Sequence, residues 1–285
     1  MQRKGWLSLG LGLSALLVGV MGYLWFQRTT RPAAKPADNV ALYGRHVTLA
    51  GASNVQDLGG IRTTDGRVLQ AHRLLRADKF DHLTAADQKR LLKAYKLRAI
   101  VDFRSLKEVQ KHPDVSLPGV TYRRDSVVTN NYGRRTTKQF YRGLVSDPVA
   151  IRGYRAFFDQ LLKQRAGVTA FHCTYGKDRT GVAALLVLTA LGVDKATIQA
   201  NYLYSNQNLA QDPHVAFIGQ FGHRGKAQQD LHHVQKVKRG NLQVVYRQIN
   251  RKYGSMDRFL KVLGMTPQKQ TQLRQMYLTT RDATT

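Results

Sequence analysis

His172-Cys173-Thr174-Tyr175-Gly176-Lys177-Asp178-Arg179-Thr180-Gly181 separates a cysteine from an arginine by five residues. The loop follows Val168 to His172, which reads as a buried strand, and precedes Thr180 to Leu191, a largely apolar helix stopped by Gly192. Backbone N–H groups of such a loop and the helix N-terminus concentrate positive potential at one point. A thiol attacks phosphorus only as thiolate, and that field favours the charged form, which makes Cys173 the candidate nucleophile. Amides from Thr174, Tyr175, Gly176, Lys177, Asp178 and Arg179 would cradle phosphate oxygens, with Gly176 letting the backbone turn. Arg179 can fork two hydrogen bonds onto equatorial oxygens, which a lysine point charge cannot. Thr180 can offer a hydroxyl to the cysteine sulfur, and Lys177 can add a second positive charge.

Two carboxylates compete to protonate the leaving group: Asp178 inside the loop, and Asp102 on another strand-to-helix turn. Asp102 could instead orient Arg179 or cap a helix. His172 could hydrogen-bond the thiol or pack at the strand end. The plainer readings are a structural thiol for Cys173, a surface helix arginine for Arg179 and a solvated lysine for Lys177.

Outward from the loop, Ala99-Ile100-Val101 reads as a second buried strand, and Ser105-Leu106-Lys107-Glu108 as a capping box directly after it. Turns of this kind line the ligand crevice of open α/β sheets. Thr84 to Asp87 is another capping box opening a helix through Tyr95. Further helices are expected over 148–164, from Asp194 towards Leu209, over 241–253, and after Thr266-Pro267. Thr63 to Leu69 carries an Asp-Gly hairpin signature. Residues 211 to 240 show no firm period and read as a long loop or lid.

The HCxxGKDRTG pattern, with every fixed position filled by His172, Cys173, Gly176, Lys177, Asp178, Arg179, Thr180 and Gly181, resembles the loop of the cysteine-dependent tyrosine phosphatases. Within them it is similar to the atypical bacterial tyrosine/serine phosphatases. Asn54 to Gly60, Leu75 to Asp78, Val101 to Ser105 with Glu108 and Pro113-Asp114, Tyr202 to Asn206, and Tyr253-Gly254-Ser255 resemble further segments of that family in matching order. Gln56 stands where the family has an arginine. The resemblance implies an α/β fold, a central mostly parallel sheet flanked by helices. It implies hydrolysis of phosphotyrosine, with phosphoserine/threonine or phosphoinositides as further substrates, through a cysteinyl-phosphate intermediate and without metal or cofactor. It favours Asp178 as the acid and associates Lys177 with tolerance of phosphoinositides.

Gly5 to Phe26 is uncharged, with Trp6 at one end and Tyr23 and Trp25 at the other. As a helix it would be about 33 Å long, enough to cross a bilayer core. Gln27-Arg28-Thr29-Thr30-Arg31 follows in place of a small-residue cleavage site, so an uncleaved anchor is expected rather than a secretory signal. The expected organisation is an anchor over 1–27, a linker over 28–44 and a catalytic domain over 45–285. That domain is expected outside the cytoplasm, or secreted if the segment is cleaved.

With 45 Lys and Arg against 18 Asp and Glu, a net charge of +27, the chain favours anionic partners such as phosphorylated substrates and anionic lipid. Zinc-finger, RNA-binding and basic-zipper signatures are absent, so no specific nucleic acid is expected. One cysteine excludes an intramolecular disulfide and the shuttle thiols of an arsenate reductase. A sulfurtransferase has no need of an acid beside Arg179. His232-His233 and the other histidines lack partners at ligand spacing, so no metal site is expected. The alternative function is a non-catalytic module that holds phosphate or anionic lipid in the same loop.

Overall fold

The computed structural model describes residues 39–129, 135–218 and 232–280. Its centre is a six-stranded sheet in the order β1 (Arg45–His46), β2 (Gln56–Asp57), β4 (Leu74–Ala77), β7 (Val168–His172), β5 (Leu97–Asp102), β6 (Thr121–Arg124). Strands β4, β7, β5 and β6 run parallel, whereas β1 and β2 pair antiparallel at one edge. The sheet is therefore mixed, with a parallel centre. Parallel neighbours need a crossover, and the apolar helical runs between these strands supply it.

Side-chain alternation divides the core into two layers. Leu74, Val101 and Phe171 join one cluster with Phe103, Phe157 and Leu185, while Leu75, Ile100 and Ala170 join the other with Phe80 and Leu91. All of β7 is buried, as expected of a strand covered on both faces. The first layer rests on α5 (Pro148–Lys163) and α6 (Arg179–Leu191). Helix α6 is buried almost throughout and ends where Gly192 turns left-handed, at φ 94°.

Both capping boxes form: Thr84 with Asp87 opens α2 (Ala85–Lys89), and Ser105 with Glu108 opens α3 (Leu106–Lys111). Helix α2 continues as a π turn over Arg90–Ala94. The remaining helices are α4 (Thr137–Gly143), α7 (Lys195–Leu209, capped by Asp194), α8 (Arg239–Tyr253), α9 (Met256–Val262) and α10 (Pro267–Tyr277, capped by Thr266).

Three expectations are revised. The turn at 63–69 forms, with an isolated bridge between Arg62 and Val68, but β3 (Val68–Leu69) takes β10 (Leu278–Thr279) as its strand partner. That pairing joins distant parts of the chain, beyond the reach of local turn chemistry. Residues 211 to 240 are not a plain loop: β8 (Val215–Phe217) and β9 (His232–Val234) pair in parallel, three residues each and too short to show a period. Residues 219–231 between them lie outside the described residues.

The expected linker ran to residue 44, yet α1 (Val40–Tyr43) is docked on the domain. The Tyr43 carbonyl accepts from Gln56 Nε2 at 3.0 Å and Asn201 Nδ2 at 3.1 Å, and its ring stacks on Tyr204 at 4.1 Å. The expected anchor at 5–26 lies outside the described residues. Among the described residues no helix is long and apolar enough to cross a membrane.

Candidate active site

The loop between β7 and α6 is held open by donors that take up its carbonyls one after another. Thr174 O accepts from Lys79 N (3.3 Å), Tyr175 O from Asn54 Nδ2 (2.8 Å) and Gly176 O from Arg76 Nε (3.1 Å). Lys177 O accepts from Arg76 Nη2 (3.5 Å), Asp178 O from Val182 N (2.9 Å) and Arg179 O from the Tyr154 hydroxyl (3.0 Å). With the carbonyls engaged by the protein, the amides of residues 174–178 make no hydrogen bond among the described residues and are free to receive an anion. This is an anion nest. Gly176 is required there, because its φ is 63° and a Cβ would stand 2.4 Å from Ala77 O.

The supports are themselves anchored. Arg76 is fully buried and also donates to Asn201 Oδ1 (2.8 Å) and Ser205 Oγ (2.5 Å) on α7. Burial lowers its pKa to about 10, which still leaves a cation at neutral pH. Asp78 accepts from the amides of Ser53 (3.0 Å) and Asn54 (3.1 Å), which aims Asn54 at the loop. Burial pushes Asp78 up to about 6.

Cys173, only 2% exposed, joins Thr174, Tyr175, Lys177, Asp178 and Arg179 in lining a cavity of about 460 Å³. Tyr175, Ile218 and Val234 supply apolar wall, and Arg135 and Thr137 add polar lining to the loop's own polar groups. The region of the β8–β9 pair, expected as a long loop or lid, thus contributes wall to this pocket, and Tyr175 packs against Leu209, Val215, Phe217 and Val234.

Arg179 is oriented by Glu108, Nη1 to Oε2 and Nη2 to Oε1, both at 2.7 Å. Thr174 Oγ1 donates to Glu108 Oε1 at 2.8 Å and accepts from Arg179 Nη2 at 3.1 Å. Burial alone would raise the Glu108 carboxyl, but the Arg179 guanidinium carries it down to about 2. Asp178 is held at both oxygens, Oδ2 by Lys177 Nζ at 2.6 Å and Oδ1 by the Tyr141 hydroxyl. The Tyr141 hydroxyl also meets that of Tyr202 at 2.6 Å. Thr180 is fully buried, and its hydroxyl has no hydrogen-bond partner among the described residues.

Asp102 is not brought into the pocket. It is fully buried, bonded to Arg104 Nε (2.9 Å) and Nη2 (2.8 Å) and to the Tyr122 hydroxyl (2.7 Å). The orienting role weighed for it is filled by Glu108. His172 is turned to the same network: Nε2 lies 2.8 Å from Asp114 Oδ2, and Nδ1 lies 3.2 Å from its neighbour's carbonyl. Burial works against its charge, yet Asp114 and Asp102 raise it to about 9. Asp102, Asp114 and His172 stand close enough to hold a metal, but Arg104 already supplies a cation there, with Nη2 2.8 Å from Asp102 and 2.7 Å from Asp114. Gln56, where an arginine was expected, is buried in β2 and donates to the Tyr43 carbonyl rather than lining the pocket.

Glu108, Tyr141 and Arg76 are the residues that the sequence reading did not place in the site. Glu108 was visible as the fourth residue of a capping box and as part of a segment resembling the family, without a role in the site. The Arg76 segment was visible by resemblance, without a role. Tyr141 gave no signal at all.

A strand that ends in a thiol, a nest of free amides and a clamped arginine at the head of a buried helix define the Cys-x5-Arg class of phosphate-handling proteins. The model of the tyrosine phosphatase family matches residues 47–279. A chain of Cupriavidus necator, provisionally named a tyrosine-protein phosphatase, is 33% identical over 245 residues, covering 81% of this chain and 88% of its own. A tyrosine-protein phosphatase of Nostoc commune is 33% identical over 129 residues, 42% of each chain. The triple specificity protein phosphatase PtpB of Mycobacterium tuberculosis is 52% identical over 40 residues, 14% of each chain. Among solved structures, P. aeruginosa TpbA in complex with phosphotyrosine aligns with a TM-score of 0.34 and 16% identity, over 60% of this chain and 80% of that one. The chain belongs to the tyrosine phosphatase family, and it is a phosphatase.

The ion pairs around the loop fix a pH dependence. Asp114 is also carried down to about 2, because His172 and Arg104 outweigh its burial. Folded-state values below the usual 4.5 for Glu108 and 3.8 for Asp114 mean stability that is present above those values and lost as pH falls towards 2. His172 has the opposite sign: raised from 6.5 to about 9, it stabilises fully below 6.5 and ceases to as pH rises through 9. Asp78, raised from 3.8 to about 6, also stabilises less as pH rises through 6. The thermal unfolding temperature of the full chain should therefore be highest near about pH 4.5 and fall on either side. Glu108→Gln should flatten the acid limb, and an unchanged limb would contradict the assignment.

Proposed function

We propose that this domain hydrolyses phosphotyrosine esters by covalent catalysis on Cys173. The thiolate attacks phosphorus, the phosphoryl group passes to Sγ, and the tyrosyl oxygen departs with a proton from Asp178. Water, giving a proton to the Asp178 carboxylate left by the first step, then attacks phosphorus and the thiolate leaves; the Thr180 hydroxyl, expected to meet the sulfur, makes no hydrogen bond to it. Arg179 and the amides of Thr174, Tyr175, Gly176, Lys177 and Asp178 hold the equatorial oxygens throughout, and little else is asked of the protein in phosphoryl transfer. The carrying observation is that Cys173, 2% exposed, and the Glu108-clamped Arg179 line one pocket with a loop whose amides are left unbonded among the described residues.

The preference for an aryl ester follows from the pocket. A thiol this buried is reached by a long flat side chain, and Tyr175, Ile218 and Val234 offer that ring an apolar wall. Phosphoserine and phosphothreonine, and phosphoinositides through the extra charge of Lys177, are slower substrates in this reading. The uncharged Gly5 to Phe26 segment with its terminal aromatics supports anchoring to a membrane, with the domain outside the cytoplasm.

Turnover by the full chain without metal, on a phosphotyrosine peptide, a phosphoserine peptide and a phosphoinositide, tests the proposal. Phosphotyrosine should lead. Equal rates on the two peptides would remove the argument from the wall, and no turnover on any would return the chain to the binding-module alternative.

A further inference from the structure

Helices α4 and α8 enclose a second cavity of about 280 Å³, lined by Lys138, Arg142, Val244, Arg247, Gln248 and Arg251. Lys138 and Arg142 are four residues apart on α4, and Arg247 and Arg251 are four apart on α8. Each is a like-charge pair on one helix face, an unfavourable arrangement, and the two pairs face the same space. None of the four cations is in a salt bridge among the described residues, and no acidic side chain lines the cleft. Just before α4 the chain treats a surface arginine differently: Arg135 pairs with Asp147 at 3.0 Å.

The cleft is also set in advance. Gln248 is only 7% exposed, and its Oε1 accepts from Arg251 Nη2 at 2.8 Å, which fixes that guanidinium. With that acceptor engaged, the Gln248 amide nitrogen has no partner among the described residues. The polar lining therefore offers donors. Four positive charges exceed what one phosphate monoester dianion can neutralise, so the matching ligand carries several negative charges. We propose that the α4–α8 cleft is a second anion-binding site, separate from the catalytic loop, that takes phosphate groups of a polyphosphorylated ligand such as a phosphorylated inositol ring, free or as a lipid headgroup. Helix α4 is shared between the two sites, since Thr137 lines the catalytic pocket and Lys138 the cleft.

The test is calorimetric titration of the full chain in detergent with inositol hexakisphosphate, in a Cys173→Ser background. Replacing two cations, as Arg247→Ala with Arg251→Ala, should weaken binding about tenfold or more. Added salt should weaken the parent complex more than that of the variant. In the Cys173-intact background the same pair should leave turnover of a small aryl phosphate within about twofold. That readout separates failure of this site from failure of the catalytic reading and reports whether the variant is folded. Lys138→Glu, at an exposed position, is an independent second variant. If both leave the affinity for inositol hexakisphosphate unchanged, the proposal is wrong. Mixed micelles of the same detergent with a phosphatidylinositol phosphate then assign the source: competition with inositol hexakisphosphate marks a lipid headgroup, and its absence marks a soluble ligand.

Discussion

Cys173→Ser is expected to reduce turnover on the order of 10⁴-fold or more while the variant still binds vanadate or tungstate. The asymmetry comes from what each group does. A serine hydroxyl is not ionised at neutral pH, and the loop carboxylate, Asp178, is used as the acid of that step, so the covalent step is lost. The oxyanion, by contrast, is held by the amides of residues 174–178 and by Arg179, whose geometry is set by Lys79, Asn54, Arg76 and Glu108 rather than by the sulfur. The measurement pairs phosphotyrosine-peptide turnover with calorimetric titration of the oxyanion. Retained turnover would remove Cys173 from the nucleophile role. Loss of both turnover and binding would mean that the sulfur shapes the loop, which the carbonyl anchoring argues against.

The loop and its flanking strand and helix were legible because several local rules coincide over 168–192: a continuous apolar strand, a glycine at a left-handed turn and an apolar helix ended by Gly192. The parallel centre of the sheet was expected from the resemblance, and buried strands alternating with helical runs agree with it. The antiparallel edge was not, since β1 and β2 are two residues each and carry no pattern. In the site, the residues that touch phosphate in the proposed reaction were readable because they are consecutive. The residues that orient them were not, because they converge only in the fold: Glu108 reaches Arg179 from 71 positions away and Arg76 reaches the Gly176 carbonyl from 100. The carboxylates show the same limit. Asp102 ends one buried strand and Asp178 lies in the loop after another, and only the three-dimensional arrangement shows that Asp102 folds back onto Arg104 while Asp178 lines the pocket.

Asp178→Asn is the second large effect, and its size should depend on the leaving group. A tyrosyl oxygen is a poor leaving group unless it is protonated as the bond to phosphorus breaks, whereas the conjugate base of an acidic nitrophenol leaves unaided. Removing the acid should therefore slow the phosphotyrosine peptide by about 10²- to 10⁴-fold and the nitrophenyl ester far less. The asparagine amide can still meet Tyr141, so the pocket wall should persist, but the Lys177 ammonium loses its carboxylate partner at 2.6 Å. Asp102→Asn is the control. Its carboxylate neutralises the buried Arg104, so the substitution breaks a buried pair and should cost about 3–5 kcal/mol of stability while leaving the ratio of the two substrates unchanged. A ratio that shifts in Asp178→Asn and not in Asp102→Asn assigns the proton to Asp178. An equal loss on both esters in Asp178→Asn would mean that this carboxylate positions Lys177 and the loop rather than supplying the proton.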